Sequence, residues 1–149
     1  MDWLEHRIPP PLVAIISGVL MWLAVRPIAP LSGRLWLALL VVLAGAAVCL
    51  AGVASFRRAR TTVNPLKPES ASALVISGIY RHTRNPMYLG FAIILLGWCV
   101  LLGSAWAVLG VAGFVLYIGR FQIRPEERAL RELFGAEFDA FCSRVRRWV

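Results

Sequence analysis

Two long stretches of this chain carry no charged residue, and they set the first limit on its fold. Leu35–Phe56 is an uncharged run of 22 residues, and Pro86–Gly119 is another of 34. A helix of 22 residues is long enough to cross a hydrocarbon core of about 30 Å. A shorter uncharged run, Ile8–Val25, has three prolines at its start, where a helix tolerates them. With 59% hydrophobic and 16% charged residues, the chain is predicted to be an integral membrane protein.

The 34-residue run is too long for a single membrane crossing. One helix of that length would extend about 51 Å, well beyond the thickness of the bilayer core. The segment "LLGSA", which contains Gly103 and Ser104, interrupts the run and favours two short helices in a hairpin. The predicted spans are therefore about 9–25, 35–56, 87–102 and 104–119, with a cytosolic loop at 57–86 and a cytosolic helix at 125–147.

The C-terminal segment 125–147 is amphipathic. Arginines lie largely off an apolar stripe that is typical of a helix on a membrane surface or over a domain. The members of this stripe are Leu130, Leu133, Phe134, Phe138, Phe141, Val145 and Trp148. Gly135 is a potential break in this helix. The predicted fold is all-α: one polytopic membrane domain over residues 1–149, with four transmembrane helices, the last two a short hairpin, plus this C-terminal amphipathic cytosolic helix.

The positive charge is unevenly placed, and its placement predicts topology. Thirteen of the sixteen Lys and Arg residues follow the second or the fourth span, and two lie between the first and second spans. Excess Lys and Arg near span ends marks the cytoplasmic side. We therefore expect a multi-pass protein of the bacterial inner membrane with both termini cytosolic, and its basic faces are expected to contact lipid headgroups instead of nucleic acid.

No metal site is predicted. Cys49, Cys99 and Cys142 have no CxxC spacing, so neither a disulfide framework nor a zinc site fits. His82 is interpreted as a solvated residue.

The most polar segment, "GIYRHTRNPMYLG" at residues 78–90, directly precedes the long apolar run. A hairpin would return the chain to the same membrane face, where "RPEER" begins at Arg124. Each part has a structural explanation: the arginines as anchors, the glutamates as favourable charges in a first helical turn, and the tyrosines as interfacial aromatics. Together they suit a ligand with both charges, hydroxyls and an aromatic base. The residues in question are Tyr80, Arg81, Arg84, Tyr88, Glu126 and Glu127.

These residues resemble a known family. "GIYRHTRNPMYLG", followed by a Glu-Glu pair and "LRELFGAEFDAF", is similar to the isoprenylcysteine carboxyl methyltransferase family. The wider group includes phospholipid N-methyltransferases, and "TTVNPLKP" upstream looks like the bacterial branch. Asn85 stands where the prenylcysteine enzymes usually have histidine, and Phe138 and Phe141 replace tail tyrosines.

The resemblance implies a membrane enzyme that uses S-adenosylmethionine to methylate a lipophilic or small nucleophile, a thiol, carboxylate or amine. It implies catalytic roles for Arg84 and Glu127. The implied cofactor-binding residues are Tyr80, Arg81, Arg84, Asn85, Pro86, Tyr88, Leu89, Gly90, Glu126 and Glu127. Two alternatives stay open: an NADPH-dependent membrane reductase of the steroid-reductase type, which carries a related segment, and a non-enzymatic membrane scaffold. The sequence leaves the oligomeric state unknown.

Overall fold

The structure, a computed structural model, describes residues 8–25, 32–59 and 73–149. Helices and short helical turns make up all of the regular structure in these residues, so the all-α prediction is confirmed. The helices are α1 Pro10–Ala24, α2 Ser32–Arg58, α3 Pro86–Leu102, α4 Val108–Ile118 and α5 Arg124–Arg144. Two 3₁₀ turns, Gly78–Arg81 and Ala105–Ala107, precede α3 and α4, and a π-helical turn, Gly119–Ile123, precedes α5. The "TTVNPLKP" segment and most of the predicted loop before residue 73 lie outside the described residues.

The long apolar run is divided into two helices, as the sequence predicts. Pro86 occupies the first turn of α3, where its missing N–H leaves no helical hydrogen bond unmade. Gly103 ends α3 in the left-handed conformation with φ 67°, which a residue with a Cβ adopts only under strain. The chain then turns at Ala105–Ala107 and returns through α4.

The end of the hairpin differs from the prediction, which separated the fourth span from the C-terminal helix. Here α4 passes into α5 through the π-helical turn, so that Ala105–Arg144 is a run of 40 helical residues with no loop between the fourth span and the C-terminal helix. Gly135, with φ 50° and ψ −124°, breaks this segment as predicted. Glu126 and Glu127, the acidic pair, therefore lie on the same helical segment that forms the second arm of the hairpin.

The outer faces of the helices are apolar. Large apolar side chains on α1 and α2, among them Leu23, Trp36, Leu40 and Leu50, are exposed. Gly33–Arg58 and Ala105–Arg144 are long and apolar enough to cross a membrane, whereas Pro10–Ala24 and Pro86–Leu102 are shorter apolar helices. An apolar surface of this extent requires a nonpolar surrounding, so the chain is a membrane protein.

Helices α2 and α3 pack through glycines. A Cβ at Gly90 would collide with the Cys49 sulfur and would lie 2.6 Å from the Gly45 carbonyl oxygen. A Cβ at Gly45 would in turn lie 2.7 Å from the carbonyl oxygen of Gly90. Close backbone approach of this kind is the usual way in which membrane helices gain packing contacts. The contact fixes α3, and with it the polar segment that precedes α3.

We expect Gly90→Ala to destabilise the protein, because its new methyl group meets backbone on the facing helix and cannot be accommodated by a rotamer change. Overpacking of this kind costs about 1–3 kcal/mol. Gly113→Ala on α4 is the matched control, since nothing lies within 4 Å of its Cβ position. Thermal unfolding in detergent should show a lower midpoint for Gly90→Ala alone. Equal midpoints would show that the α2–α3 contact tolerates a methyl group.

Candidate active site

The polar segment before α3 and the start of α5 lie against each other at one end of the hairpin. An Arg84 Nη2 atom donates to Glu127 Oε1 at 3.0 Å, and the Tyr88 hydroxyl donates to Glu126 Oε2 at 3.1 Å. These contacts join residues 43 and 38 positions apart. The hairpin thus brings the two sequence segments together, and this juxtaposition is the core of the candidate site.

Glu127 is held by two arginines. Besides Arg84, Arg147 contacts it with a fork in which Nε donates to Oε1 at 3.1 Å and Nη2 donates to Oε2. The side chains of Arg84 and Glu127 are only 13% and 14% exposed, whereas that of Arg147 is 37% exposed. Two-point guanidinium–carboxylate contacts are both strong and directional. Glu127 therefore fixes two cationic groups in a mostly buried position.

The C-terminal tail, residues 145–149, forms one wall of the site. The Arg147 carbonyl accepts from Asn85 Nδ2 at 2.9 Å and from the Thr83 hydroxyl at 3.4 Å. The Arg146 carbonyl accepts from the Arg84 N–H at 3.0 Å. Since Val145 is buried and Trp148 packs on the core, the tail is anchored on both sides of these bonds.

Arg147 was not among the residues predicted from the sequence. It lies 20 residues beyond Glu127, in a terminal run of basic residues that reads as membrane-surface charge. Only the packed position of the tail shows that its guanidinium group contacts the acidic pair. Asn85 stands where the family usually has histidine. Its side chain is buried, and its amide donates to the Arg147 carbonyl, so this residue connects the motif to the tail.

Glu126 has different surroundings. The hydrogen bond from Tyr88 is its one hydrogen bond to the part of the chain that the structure describes, and it takes part in none of the ion pairs found there. Burial raises the pKa of Glu126 to about 7, the neighbouring Glu127 adds to the rise, and the Tyr88 hydrogen bond opposes it. The two adjacent glutamates are thus in unlike electrostatic environments.

Comparison with known proteins identifies the family of this chain. The phospholipid methyltransferase family matches residues 33–137, which include the polar segment and both glutamates. The chain belongs to this family.

Curated relatives agree with this membership. A probable protein-S-isoprenylcysteine O-methyltransferase of Oryza sativa subsp. indica is 31% identical over 113 residues, which cover 74% of this chain and 58% of the relative. The protein-S-isoprenylcysteine O-methyltransferase of Saccharomyces cerevisiae is 35% identical over 82 residues, 53% of this chain and 33% of its own. An uncharacterized protein of Haemophilus influenzae is 46% identical over 63 residues, 42% of this chain and all of that protein.

The chain thus spans about 58% and 33% of the two named methyltransferases that it matches. No solved structure matches it significantly.

Within the family motif, the remaining predicted residues occupy three kinds of position. Tyr80 is buried and packs edge-to-face on Phe56, with ring centroids 5.5 Å apart, and burial raises the pKa of its phenol. Pro86 and Gly90 are buried in α3, and Gly90 contacts α2. Leu89 is partly buried with its N–H donating to the Asn85 carbonyl, and Arg81 is exposed on the 3₁₀ turn. Their roles in binding a cofactor remain predictions.

The cationic side of the site fits the cofactor that is expected for a family methyltransferase. Arg84 Nε is buried and has no hydrogen-bond partner among the described residues, although the same guanidinium group contacts Glu127. A buried N–H without a partner costs about 1–3 kcal/mol, so this atom is suited to an incoming acceptor. The carboxylate of a methionine moiety has the required charge and geometry. The donor set therefore fits S-adenosylmethionine.

A cavity of about 320 Å³ lies between α1 and α4. Its lining is almost entirely apolar and includes Ile8, Leu20, Gly113 and Tyr117. Gln122 is fully buried and donates to the Ile8 carbonyl at 2.8 Å, so one end of the cavity is tied to the turn that leads into α5. Gln122 precedes Glu126 by four residues, or about 6 Å along a helix axis. The cavity thus lies along α4, on the helical segment that continues into the turn before Glu126.

Proposed function

We propose that this protein is an S-adenosylmethionine-dependent methyltransferase that acts at the cytosolic face of the membrane on a lipophilic or small thiol, carboxylate or amine acceptor. One observation carries the proposal: Arg84, Tyr88 and the Glu126–Glu127 pair, which match the family motif, are joined by hydrogen bonds at the mouth of an apolar hairpin. Arg84 Nε is a buried guanidinium N–H without a hydrogen-bond partner among the described residues. This atom favours an enzyme that binds an anionic group.

The residues of the chain divide the work as follows. When bound, S-adenosylmethionine supplies an activated methyl group on a sulfonium centre. Arg84 is proposed to bind the carboxylate of its methionine moiety, and Glu127 orients Arg84 through their 3.0 Å contact. The tail carbonyls of Arg146 and Arg147 hold residues 83–85 in place. Because the methyl group is already activated, fixing both reactants in line supplies the main rate gain, about 7–11 kcal/mol for well-aligned groups.

Ligand binding in detergent tests this proposal most directly. We expect isothermal titration calorimetry to show binding of S-adenosylhomocysteine and no binding of NADPH. Arg84→Ala should abolish binding of S-adenosylhomocysteine, because it removes the guanidinium group that is proposed to bind the carboxylate of the methionine moiety. Arg58→Ala is the matched control, since Arg58 is an exposed arginine at the end of α2 and lies outside the motif. Binding of NADPH alone would favour a reductase, and binding of neither ligand would favour a scaffold.

We further propose that the acceptor reaches the site from the lipid. The cavity between α1 and α4 has an almost entirely apolar lining, and the Ile8 carbonyl at its margin accepts from Gln122 in the turn that leads into α5. We expect a lipophilic tail in this cavity to direct the attached nucleophile toward the end of α4 that leads to Glu126. Each buried methylene contributes about 0.8 kcal/mol, so tail length is expected to govern binding.

The proposed topology is four membrane spans with both termini in the cytosol. Gly33 at the start of α2 and Ser143 near the end of α5 lie at opposite ends of the fold, and both are exposed. In a background in which the three native cysteines are replaced by alanine, we expect Gly33→Cys, but not Ser143→Cys, to react with an impermeant maleimide added to intact cells. Nothing lies within 4 Å of a Cβ at Gly33, so this substitution fits sterically. Labelling of Ser143→Cys from outside would reverse the assigned orientation.

A further inference from the structure

The adjacent glutamates of the site have opposite kinds of partner. Both Glu127 oxygens accept from guanidinium N–H groups of Arg84 and Arg147. Glu126 instead accepts from a neutral phenol, that of Tyr88, and takes part in none of the ion pairs found among the described residues. Three of the roughly four lone-pair sites of the Glu127 carboxylate accept from arginines, whereas Glu126 accepts one hydrogen bond from the described residues. Glu126 is therefore the member of the pair with room to take up a proton.

The groups that face Glu126 come from three elements. Tyr88 on α3 donates a hydrogen bond to it, and Glu127, the next residue on α5, adds negative charge. Tyr80 on the 3₁₀ turn lies near enough to interact with it electrostatically. Tyr80 and Tyr88 are themselves buried, 5% and 4% exposed. Burial gives Glu126 a pKa of about 7. This value suits a general base at neutral pH, because proton transfer is most effective when the pKa of the base lies near the working pH.

We propose that Glu126 is a general base, and that the natural acceptor consequently arrives protonated, as a thiol or an amine and not as a carboxylate. The inference rests on the proposed methyltransferase activity. In the reaction, loss of the acceptor proton to Glu126 frees a lone pair on the sulfur or nitrogen, and this pair forms the new bond to the methyl carbon. The bond from that carbon to the sulfonium sulfur breaks, and its electron pair stays on the donor as a thioether. Glu126 later releases the acceptor proton to water.

The acceptor class follows from this proton balance. A thiol or an alkylamine is mostly protonated at neutral pH, since the ordinary pKa values are about 8.5 and 10.4. Such an acceptor must lose a proton during transfer, whereas a carboxylate is already ionised and needs no base. A carboxylate acceptor would also meet the negative charge of a deprotonated Glu126 at close range. The site therefore discriminates against the acceptor that the names of the O-methyltransferase relatives indicate.

Three acceptors with ten-carbon chains test the proposal: decanethiol, decylamine and decanoate in mixed micelles. We expect wild-type protein to methylate the thiol or the amine and not decanoate, and Glu126→Gln to lower kcat at least about 100-fold, the lower limit of general base catalysis. The Kd of S-adenosylhomocysteine should change less than threefold. Glu126→Asp should recover part of the rate, and Glu137→Gln, an exposed glutamate on the same helix, should behave as wild type.

The pH dependence provides a readout that a purely structural role would not change. Since Glu126 must be deprotonated, kcat/KM should rise with pH through about 7. Tyr88→Phe removes a hydrogen bond that favours the charged form, so it should move the midpoint to higher pH. Infrared difference spectra should show a carboxyl band that disappears through the same range in wild-type protein and is absent from Glu126→Gln.

Contrary outcomes separate the two proposals. Methylation of decanoate alone, an unchanged kcat in Glu126→Gln, or a carboxyl band that titrates below pH 5 would overturn the base assignment and leave the methyltransferase intact. A parallel loss of S-adenosylhomocysteine affinity without a loss of kcat would make Glu126 a cofactor ligand instead. If wild-type protein neither binds S-adenosylhomocysteine nor methylates any of the three, the proposed function fails, and this inference fails with it.

Discussion

Replacing Glu127 with glutamine is expected to weaken S-adenosylhomocysteine binding at least about tenfold, because hydrogen bonds to charged groups contribute about 1.5–3 kcal/mol. The amide keeps the shape of the side chain but cannot accept from two guanidinium groups through two oxygens. Arg84 and Arg147 then lose the charge that holds them 3.0 Å and 3.1 Å from Glu127 Oε1. Arg84, the proposed binding partner of the cofactor carboxylate, is then no longer oriented by Glu127.

Calorimetry of the purified protein in detergent measures this effect, and membrane insertion should be unchanged. Asp139→Asn is the matched control, because it removes an ion pair with Arg131 on the same helix at a site where both side chains are more than half exposed. Exposed pairs contribute about 0–1 kcal/mol, so its affinity should equal that of wild type. If Glu127 acted only as a favourable charge in the first turn of α5, Glu127→Gln would lower the free energy of unfolding by about 0.3–1 kcal/mol and leave S-adenosylhomocysteine binding intact. That outcome would remove Glu127 from the site.

Filling the α1–α4 cavity is expected to abolish the preference for long-tailed acceptors. Gly113 lines the cavity, and nothing lies within 4 Å of its Cβ position, so Gly113→Phe can place a ring there without displacing backbone. A tail that loses contact over only four methylenes loses about 3 kcal/mol, a rate factor of about 100 or more in kcat/KM. A short acceptor, which does not reach the cavity, should react as before.

The comparison requires concentrations expressed as mole fractions in mixed micelles, because bulk concentrations combine partitioning with recognition. Leu116→Phe is the control, since it adds a ring at an exposed position on the same helix. Arg84→Ala should impair long and short acceptors equally, because it acts through the cofactor. If wild-type protein uses short, water-soluble acceptors as well as long-tailed ones, access from the lipid is wrong, and a small soluble nucleophile becomes the better substrate.

Local sequence determined the helices and most of the candidate site residues. An uncharged run such as Leu35–Phe56 must be helical in a membrane, because its backbone N–H and C=O groups can form hydrogen bonds there only within the helix. Pro86 and Gly103 fix where α3 begins and ends through backbone geometry that depends on those residues alone. The hairpin that follows from Gly103 predicts that Arg84 and Glu127 share one face. For these features, short-range stereochemistry and hydropathy are sufficient.

Other features depend on contacts between distant segments. The continuation of α4 into α5 was not predicted, because Arg120 looked like the end of a span and the π-helical turn has no clear sequence signal. Gly90 could have faced a ligand or a helix, and only packing against Gly45 shows that it faces α2.

The sequence by itself determined that this chain forms apolar helices and carries a polar motif, since hydropathy and backbone preference act between near neighbours. The tertiary structure decided how the two glutamates differ. Glu126 and Glu127 are adjacent and chemically identical in the sequence. The position of the C-terminal tail gives one of them Arg147, and the helical rotation of α5 turns the other toward Tyr88. The charge and burial of a group are set by its neighbours in space, and these neighbours come from residues 20 to 43 positions away.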